Sequence, residues 1–254
     1  MQRLIQNKLI LLLALLLLLA LGSVIGLGLT ARHYYLQVNG ARLDPLGLSA
    51  YPPDLVVPAK ALGKKRVLFY GDSRAYQWPA PTALPQFEFM NRGIGGQTTT
   101  QVLARFDAHV TPLQPDLVIV QAGINDLKSI PLFPAQKATI IANCKANLAA
   151  IVERSTALGA TVILTTIFPH GQVSLQRRPF WSGAVQEAVA EVNAYLFKLA
   201  DEQVVIFDTT QLLADDDGLL RADYGYDLLH LNDAGYAALN PGLIEVLEKL
   251  GNKH

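Results

Sequence analysis

Four short stretches of this sequence hold the residue types that acyl transfer needs. They are Gly71-Asp72-Ser73, Asn91-Arg92-Gly93-Ile94-Gly95-Gly96-Gln97-Thr98, Gly123-Ile124-Asn125-Asp126 and Asp227-Leu228-Leu229-His230. Such chemistry requires a nucleophile, a base, a group that orients the base, and donors aimed at the developing oxyanion. Ser73 can attack an ester carbonyl. His230 can take the serine proton and return it to the leaving alcohol, and Asp227, three residues earlier and within side-chain reach, can hold the imidazole tautomer. The Ser73 N–H stands at an expected helix start, where partial positive charge collects. A bare Gly96 lets a substrate approach its backbone N–H, and the Asn125 side-chain amide can supply a third donor.

Each stretch by itself has a plainer explanation. Gly-Asp-Ser suits a turn with a helix cap, because aspartate and serine favour both. The glycine cluster resembles a phosphate loop. It lacks the Gly-Lys-Ser/Thr ending, however, and Thr98 stands where Gly-x-Gly-x-x-Gly needs its third glycine. Asn125 alone is a turn residue, and His230 alone a structural histidine. Together, in this order, they are hard to explain as turns.

The elements that would position them follow from hydrophobic patterning. Short apolar runs occur at Val67–Tyr70, Phe87–Met90, Leu117–Val120, Val162–Thr165 and Val204–Phe207. They are β-branched and aromatic, and too continuous for a sheet with one face in water. Helical patterns lie between them at Thr98–Ala108, Ala135–Leu158 (with Gly159 as a C-cap) and Ser182–Ala200. Asn232 is placed to cap a further helix, and Asn240-Pro241 to open another with proline at its first position. Strands alternating with helices predict a three-layer α/β/α sandwich on a mostly parallel five-stranded sheet. In such sheets ligands bind beyond the carboxyl ends of the strands. Three of the four stretches follow a predicted strand directly, and Asp227-x-x-His230 comes after the last one.

Gly71-Asp72-Ser73, Gly93-x-Gly95-Gly96, Gly123-x-Asn125-Asp126 and Asp227-x-x-His230 resemble, in order and spacing, the motifs of the GDSL/SGNH hydrolase family. The similarity runs from about Val67 to Leu250. The second block, with Gln97-Thr98 after it, resembles members of the platelet-activating-factor acetylhydrolase subunit type. The resemblance implies a flavodoxin-like SGNH hydrolase fold and a carboxylic ester hydrolase without a cofactor. It implies that Ser73, Gly96, Asn125 and His230 are the name-giving residues and Asp227 the orienting acid, with Gly95 as the substitute for Gly96. Arg74 departs from the leucine in the family's name, which bears on pocket shape rather than mechanism. The same serine chemistry also serves a lysophospholipase, a thioesterase or an acyltransferase, and the fold alone can carry a non-catalytic binding module.

Outside these stretches, Leu9 to Leu29 holds no charged residue, and Leu11 to Leu19 is nearly pure leucine. As a helix it is about 31 Å long, close to one bilayer core. Arg3 and Lys8 precede it and place residues 1–8 in the cytoplasm. Residues 9–29 are thus expected to be a single-pass signal anchor in the inner membrane. Residues 30–65, with Pro45, Pro52, Pro53 and Pro58, are expected to be a linker, and 66–254 a hydrolase domain on the periplasmic or extracellular side. The alternative is a cleaved signal peptide and a secreted enzyme. Lysine plus arginine equal aspartate plus glutamate at 21 each, with no basic block, which argues against nucleic acid. The expected partners are a small-molecule or glycan ester and the membrane. The acyl group is expected to be short, acetyl for choice, because no long apolar run adjoins the four stretches.

The single cysteine, Cys144, sits on an apolar helix face and is expected to be a buried, inert thiol. His170 is expected to be a loop histidine, and His33 and His109 have no metal-ligand spacing. The segment from Gly171 to Gly183 carries Arg177, Arg178, Phe180 and Trp181. It suits either an anionic or sugar portion of a substrate, or a solvated loop with its aromatics in the core.

Overall fold

A computed structural model of the chain describes residues 1–52 and 58–251. It divides into two units, Met1–Gly47 and Leu48–His254. The first unit is helix α1 (Gln2–Leu43), none of whose residues is buried. It is long and apolar enough to cross a membrane. It also runs past the expected boundary at Leu29, so Ala31–Leu43 is helical rather than linker. No proline interrupts the chain before Pro45, and Thr30 and Asn39 turn their side chains back onto carbonyls four residues earlier. The helix stops when the residue before Pro45 must leave the α region, and Asp44 does so at φ −135° and ψ 70°. Its 42 residues amount to about 63 Å, roughly twice a bilayer core.

In the second unit the five expected strands form as β1 (Lys65–Gly71), β2 (Phe87–Gly93), β3 (Leu117–Gln121), β4 (Thr161–Thr165) and β5 (Val204–Phe207). Every pairing is parallel, in the order β2-β1-β3-β4-β5. The helices are α2 (Ser73–Tyr76), α3 (Thr99–Ala104), α4 (Phe106–His109), α5 (Ile124–Leu127), α6 (Lys137–Ala157), α7 (Ala184–Leu196), α8 (Thr210–Leu213) and α9 (Asp233–Gly251). Alternate strand residues face opposite layers. Leu68, Tyr70, Val118, Val120, Val162 and Leu164 pack against α6 and α7 through Cys144, Leu148, Val189 and Val192. Val67, Phe69, Leu117, Ile119 and Ile163 pack against α9 through Tyr236, Leu239, Leu243 and Leu247. Both faces are covered, which is why the strands read as unbroken apolar runs.

Two local expectations need correction. Thr98–Ala108 is not one helix: it breaks at Arg105, giving α3 and α4. Asn240-Pro241 does not open a helix, because α9 passes straight through Pro241. A proline inside a helix removes one hydrogen bond, whereas Leu239, Leu243 and Leu247 hold both flanks of α9 in the core. The Asn240 amide serves elsewhere, accepting from Trp78 Nε1 (2.9 Å) and donating to the Pro79 carbonyl (3.3 Å). Asn232 does cap α9, its Oδ1 accepting the Gly235 N–H at 3.0 Å.

The strand ends are drawn together by two fully buried arginines. Arg74 donates from Nε to the Leu229 carbonyl (2.8 Å), from Nη1 to Phe168 O (2.9 Å) and from Nη2 to Pro169 O (3.4 Å). Its guanidinium lies 5.4 Å from the Phe168 ring centroid. Arg105 donates to the Gln97 side chain (2.5 Å), Arg92 O (2.8 Å) and Gly71 O (2.8 Å). Burial lowers the Arg74 pKa to about 10, so it remains a cation at neutral pH. Gly71 itself is pressed against β3: a Cβ there would meet Gln121 O at 1.8 Å, at a φ of +152°.

Arg74→Met leaves three carbonyls without their donors, each worth about 1–3 kcal/mol when buried. The variant is expected to melt at least about 5 °C lower by circular dichroism in detergent. Arg178→Met, at an exposed position, is expected to melt with the wild type. Gly71→Ala is expected to yield no folded protein, since backbone rather than a flexible side chain stands in its way.

Candidate active site

Ser73 is the first residue of α2, immediately beyond the end of β1. Asp72 caps the helix, its Oδ1 accepting the Arg74 N–H at 2.9 Å, and its own N–H is held by Gln121 O at 3.1 Å. This short, capped turn lifts Ser73 out of the sheet while its neighbours stay buried. Asp72 is fully buried, its Oδ2 has no partner, and burial pushes its carboxyl up to about 6 against the pull of Arg74.

The opposite wall is the loop before α9. It is pinched shut by an antiparallel bridge between Gly225 and Leu231, and by the Tyr226 N–H on His230 O at 2.8 Å. Within the pinch, Asp227 Oδ1 accepts the N–H groups of Leu229 (2.7 Å) and His230 (2.8 Å). The His230 ring meets the same carboxylate through Nδ1, at 2.9 Å from Oδ2 and 3.0 Å from Oδ1. Partial burial pushes the Asp227 pKa up, but hydrogen bonds from the ring and the two N–H groups outweigh it and leave it below the usual carboxylate range. Nδ1 therefore carries the proton in this network, and Nε2 presents a lone pair. That Nε2 lies 2.9 Å from Ser73 Oγ. The sequence separation is 157 residues, and the Arg74 bond to Leu229 O ties the two walls together beneath the contact.

The second and third stretches close the remaining side. Asn125 lies in α5 and is 7% exposed; its Nδ2 donates to Gln97 O at 3.0 Å, and among the described residues the second amide hydrogen has no partner. Asp126 beside it accepts the Thr99 N–H (2.8 Å) and hydroxyl (2.6 Å), locking α5 to α3. Gly95 and Gly96 are exposed, and a Cβ built on Gly95 lies 3.8 Å from Ser73 Cβ. Gly96 adopts φ +77° with open space around it. Among the described residues the N–H groups of Ser73, Gly95 and Gly96 have no hydrogen-bond partner. All the residues singled out from the four stretches thus meet at one end of the sheet.

The other candidates resolve differently. Cys144 is wholly buried, and burial raises its thiol pKa. His170 is a loop histidine, as expected, and a buried one. Its Nδ1 bonds Gly171 O (2.8 Å), its ring meets Trp181 edge-on at 5.0 Å, and burial lowers its pKa. The aromatics of its segment divide: Trp181 packs on the core, while Phe180 is exposed. His109 lies buried beneath Tyr51, and His33 belongs to α1. No group of three His, Cys, Asp or Glu side chains able to hold a metal occurs among the described residues. Arg105 and the structural part of Arg74 escaped sequence reasoning, because their partners are backbone carbonyls distant in sequence.

Residues 69–238, well over half of the chain, match the GDSL-like lipase/acylhydrolase family. An acetylxylan esterase of Geobacillus stearothermophilus is 28% identical over 156 residues, covering 59% of this chain and 67% of the esterase. A solved structure from Streptococcus pneumonia, described provisionally as a platelet activating factor, is 26% identical with a TM-score of 0.68, covering 85% of this chain and 99% of its own. A GDSL-like lipase structure from Bacteroides thetaiotaomicron is 25% identical with a TM-score of 0.60, covering 80% and 96%. With the motifs assembled at the strand ends and the match spanning them, the chain belongs to the GDSL-like lipase/acylhydrolase family and is a carboxylic ester hydrolase.

Proposed function

We propose that Ser73 is the nucleophile of this hydrolase, His230 its general base and acid, and Asp227 the residue that orients the base. The observation that carries the proposal is the unbroken relay from Ser73 Oγ through His230 to Asp227, 2.9 Å at Ser73 and 2.9 Å at Asp227. In the first half-reaction Oγ bonds to the ester carbonyl carbon as its proton passes to His230 Nε2. The carbonyl oxygen becomes an oxyanion facing the N–H groups of Ser73 and Gly96 and the second amide hydrogen of Asn125. Gly95 N–H is the substitute for Gly96. The bond to the alcohol then breaks, and the alcohol leaves with the proton from His230. Water repeats the sequence on the acyl-enzyme and releases the acid. Preorganised donors of this kind contribute about 10²–10³-fold each.

The acyl group in this reading is short, acetyl for choice, and the alcohol is polar or a glycan. The groups that the structure brings beside the Ser73 side chain are polar, the His230 imidazole and the backbone at Gly95. The acetylxylan esterase relative acts, by its name, on an acetylated glycan. The helix α1, with Arg3 and Lys8 before its leucine run, supports an anchor that holds residues 66–254 on the periplasmic or extracellular side. Such tethering keeps the enzyme near envelope esters without altering the site.

Ser73→Ala is expected to lower kcat on 4-nitrophenyl acetate by at least about 10³-fold, with the circular dichroism spectrum unchanged. Undiminished turnover by that variant would overturn the assignment. In a series from acetyl to decanoyl esters the wild type is expected to prefer acetyl. A tenfold preference for decanoyl would replace the short-chain reading with a lysophospholipase or thioesterase. Transfer of the acetyl group to an added polyol, in preference to water, would make it an acyltransferase.

A further inference from the structure

The chain between α1 and β1 touches the active-site end of the sheet before it enters the sheet at the other end. A 3-10 turn (Leu48–Ala50) leads to Tyr51, and both fall in the second unit, Leu48–His254. Tyr51 Oη donates to the carbonyl of Gly93, the last residue of β2, at 3.0 Å. The Arg92 guanidinium lies 4.5 Å from the Tyr51 ring centroid, and the buried His109 ring meets it edge-on at 5.4 Å. Farther along, the Pro58 carbonyl accepts from Arg66 (2.7 Å) and Lys60 pairs with Asp116 (2.8 Å). Those contacts lie by the amino ends of β1 and β3.

Gly93 opens the loop whose glycines face the nucleophile. At its far end Gln97 is held by Asn125 Nδ2 on its carbonyl (3.0 Å) and by Arg105 on its side chain (2.5 Å). At its near end the Ile94 N–H bonds Gly71 O (3.1 Å), and Tyr51 holds Gly93 O. Gly95 and Gly96 lie exposed between the two clamps. Glycine restricts its own backbone least of all residues, so the clamps must fix where these N–H groups point. Tyr51 also supports the far clamp, because the His109 it packs on accepts from Arg105 Nη1 through Nδ1 at 3.1 Å. Arg92 is 8% exposed, and the face of the Tyr51 ring offsets part of the cost of burying its charge.

We propose that Tyr51 is a positioning residue for the oxyanion donors of the loop Gly93–Gln97. The segment that follows α1 is then part of the active-site scaffold rather than a passive spacer. This rests on the Ser73 hydrolase reading above. Without the brace, the Gly95 and Gly96 N–H groups drift from the place where the oxyanion forms. That raises the barrier and leaves ground-state binding of the ester nearly unchanged.

The test compares full-length variants on 4-nitrophenyl acetate. Tyr51→Ala is expected to lower kcat by about tenfold with KM within about twofold, since misplacing a group by about 1 Å costs up to about 10²-fold. Tyr51→Phe keeps both ring contacts and loses only the bond to Gly93 O. It is expected to lower kcat about threefold with the melting temperature unchanged, so it decides the matter if the alanine variant does not fold. The pH midpoint of kcat is expected to stay at the wild-type value, because neither variant touches His230 or Asp227. Asn125 clamps the far end of the loop, so once it is gone the near clamp has little left to hold. Either Tyr51 substitution is therefore expected to cost less than half its usual factor in an Asn125→Ala background. Lys60→Ala, at the opposite end of the sheet, is expected to keep kcat within about twofold of the wild type. An unchanged kcat in both Tyr51 variants, a loss expressed as a rise in KM, the full loss recurring on top of Asn125→Ala, or an equal loss in Lys60→Ala overturns the role of Tyr51. Ser73-dependent turnover by the wild type leaves the hydrolase reading standing in each of those cases. Turnover that survives Ser73→Ala, or none in the wild type, overturns the hydrolase reading and the role of Tyr51 with it.

Discussion

The carboxyl ends of five parallel strands leave a row of peptide carbonyls and turns that must be satisfied before any side chain can be held above them. In this protein buried guanidinium groups satisfy part of that row and of the loops beyond it. Arg105 gathers the ends of β1 and β2 through Gly71 O and Arg92 O, together with the side chain of Gln97. Arg74 gathers the chain after β4 and the loop before α9 through Phe168, Pro169 and Leu229. Removing the solvent from two guanidinium groups is expensive, and the planar five-donor fork recovers that cost by reaching several carbonyls from one point. The serine and histidine contact is a by-product of this arrangement. Residues 73 and 230 meet because the backbone beneath each of them is tied to the same arginine.

The site is correspondingly economical. Asp227 orders its own loop through two backbone N–H bonds before it touches the imidazole. Asn125 holds Gln97 with one amide hydrogen and keeps the other. Asp126, next to it, locks α5 onto α3 through Thr99. Each polar residue thus fixes backbone as well as facing the site, which limits how far the groups can drift apart.

Much of this was legible in the sequence. Val67–Tyr70 and Leu117–Val120 read as strands because both faces of a parallel sheet are buried and demand unbroken apolar runs. The four motif stretches read as a site because strand-end placement and residue chemistry agreed. What stayed hidden depended on contacts between distant segments. Nothing local in Gly71-Asp72-Ser73-Arg74 shows that the arginine turns inward to carbonyls near residues 168 and 229. Asn240-Pro241 looks like a helix start, and only the packing of Leu239 and Leu243 on the sheet makes the helix continue through it. The length of α1 was missed for the opposite reason: Ala31–Leu43 is too polar to extend the apolar run, yet nothing in it breaks a helix.

The central claim is that Ser73 is a nucleophile activated by a histidine that Asp227 orients. It is tested most directly by reacting the protein with a fluorophosphonate and mapping the adduct by peptide mass spectrometry. A single adduct on Ser73 is expected, forming at least about 10²-fold more slowly in His230→Ala and clearly more slowly in Asp227→Asn. Labelling at another residue, or labelling of Ser73 at the wild-type rate in both variants, would contradict it.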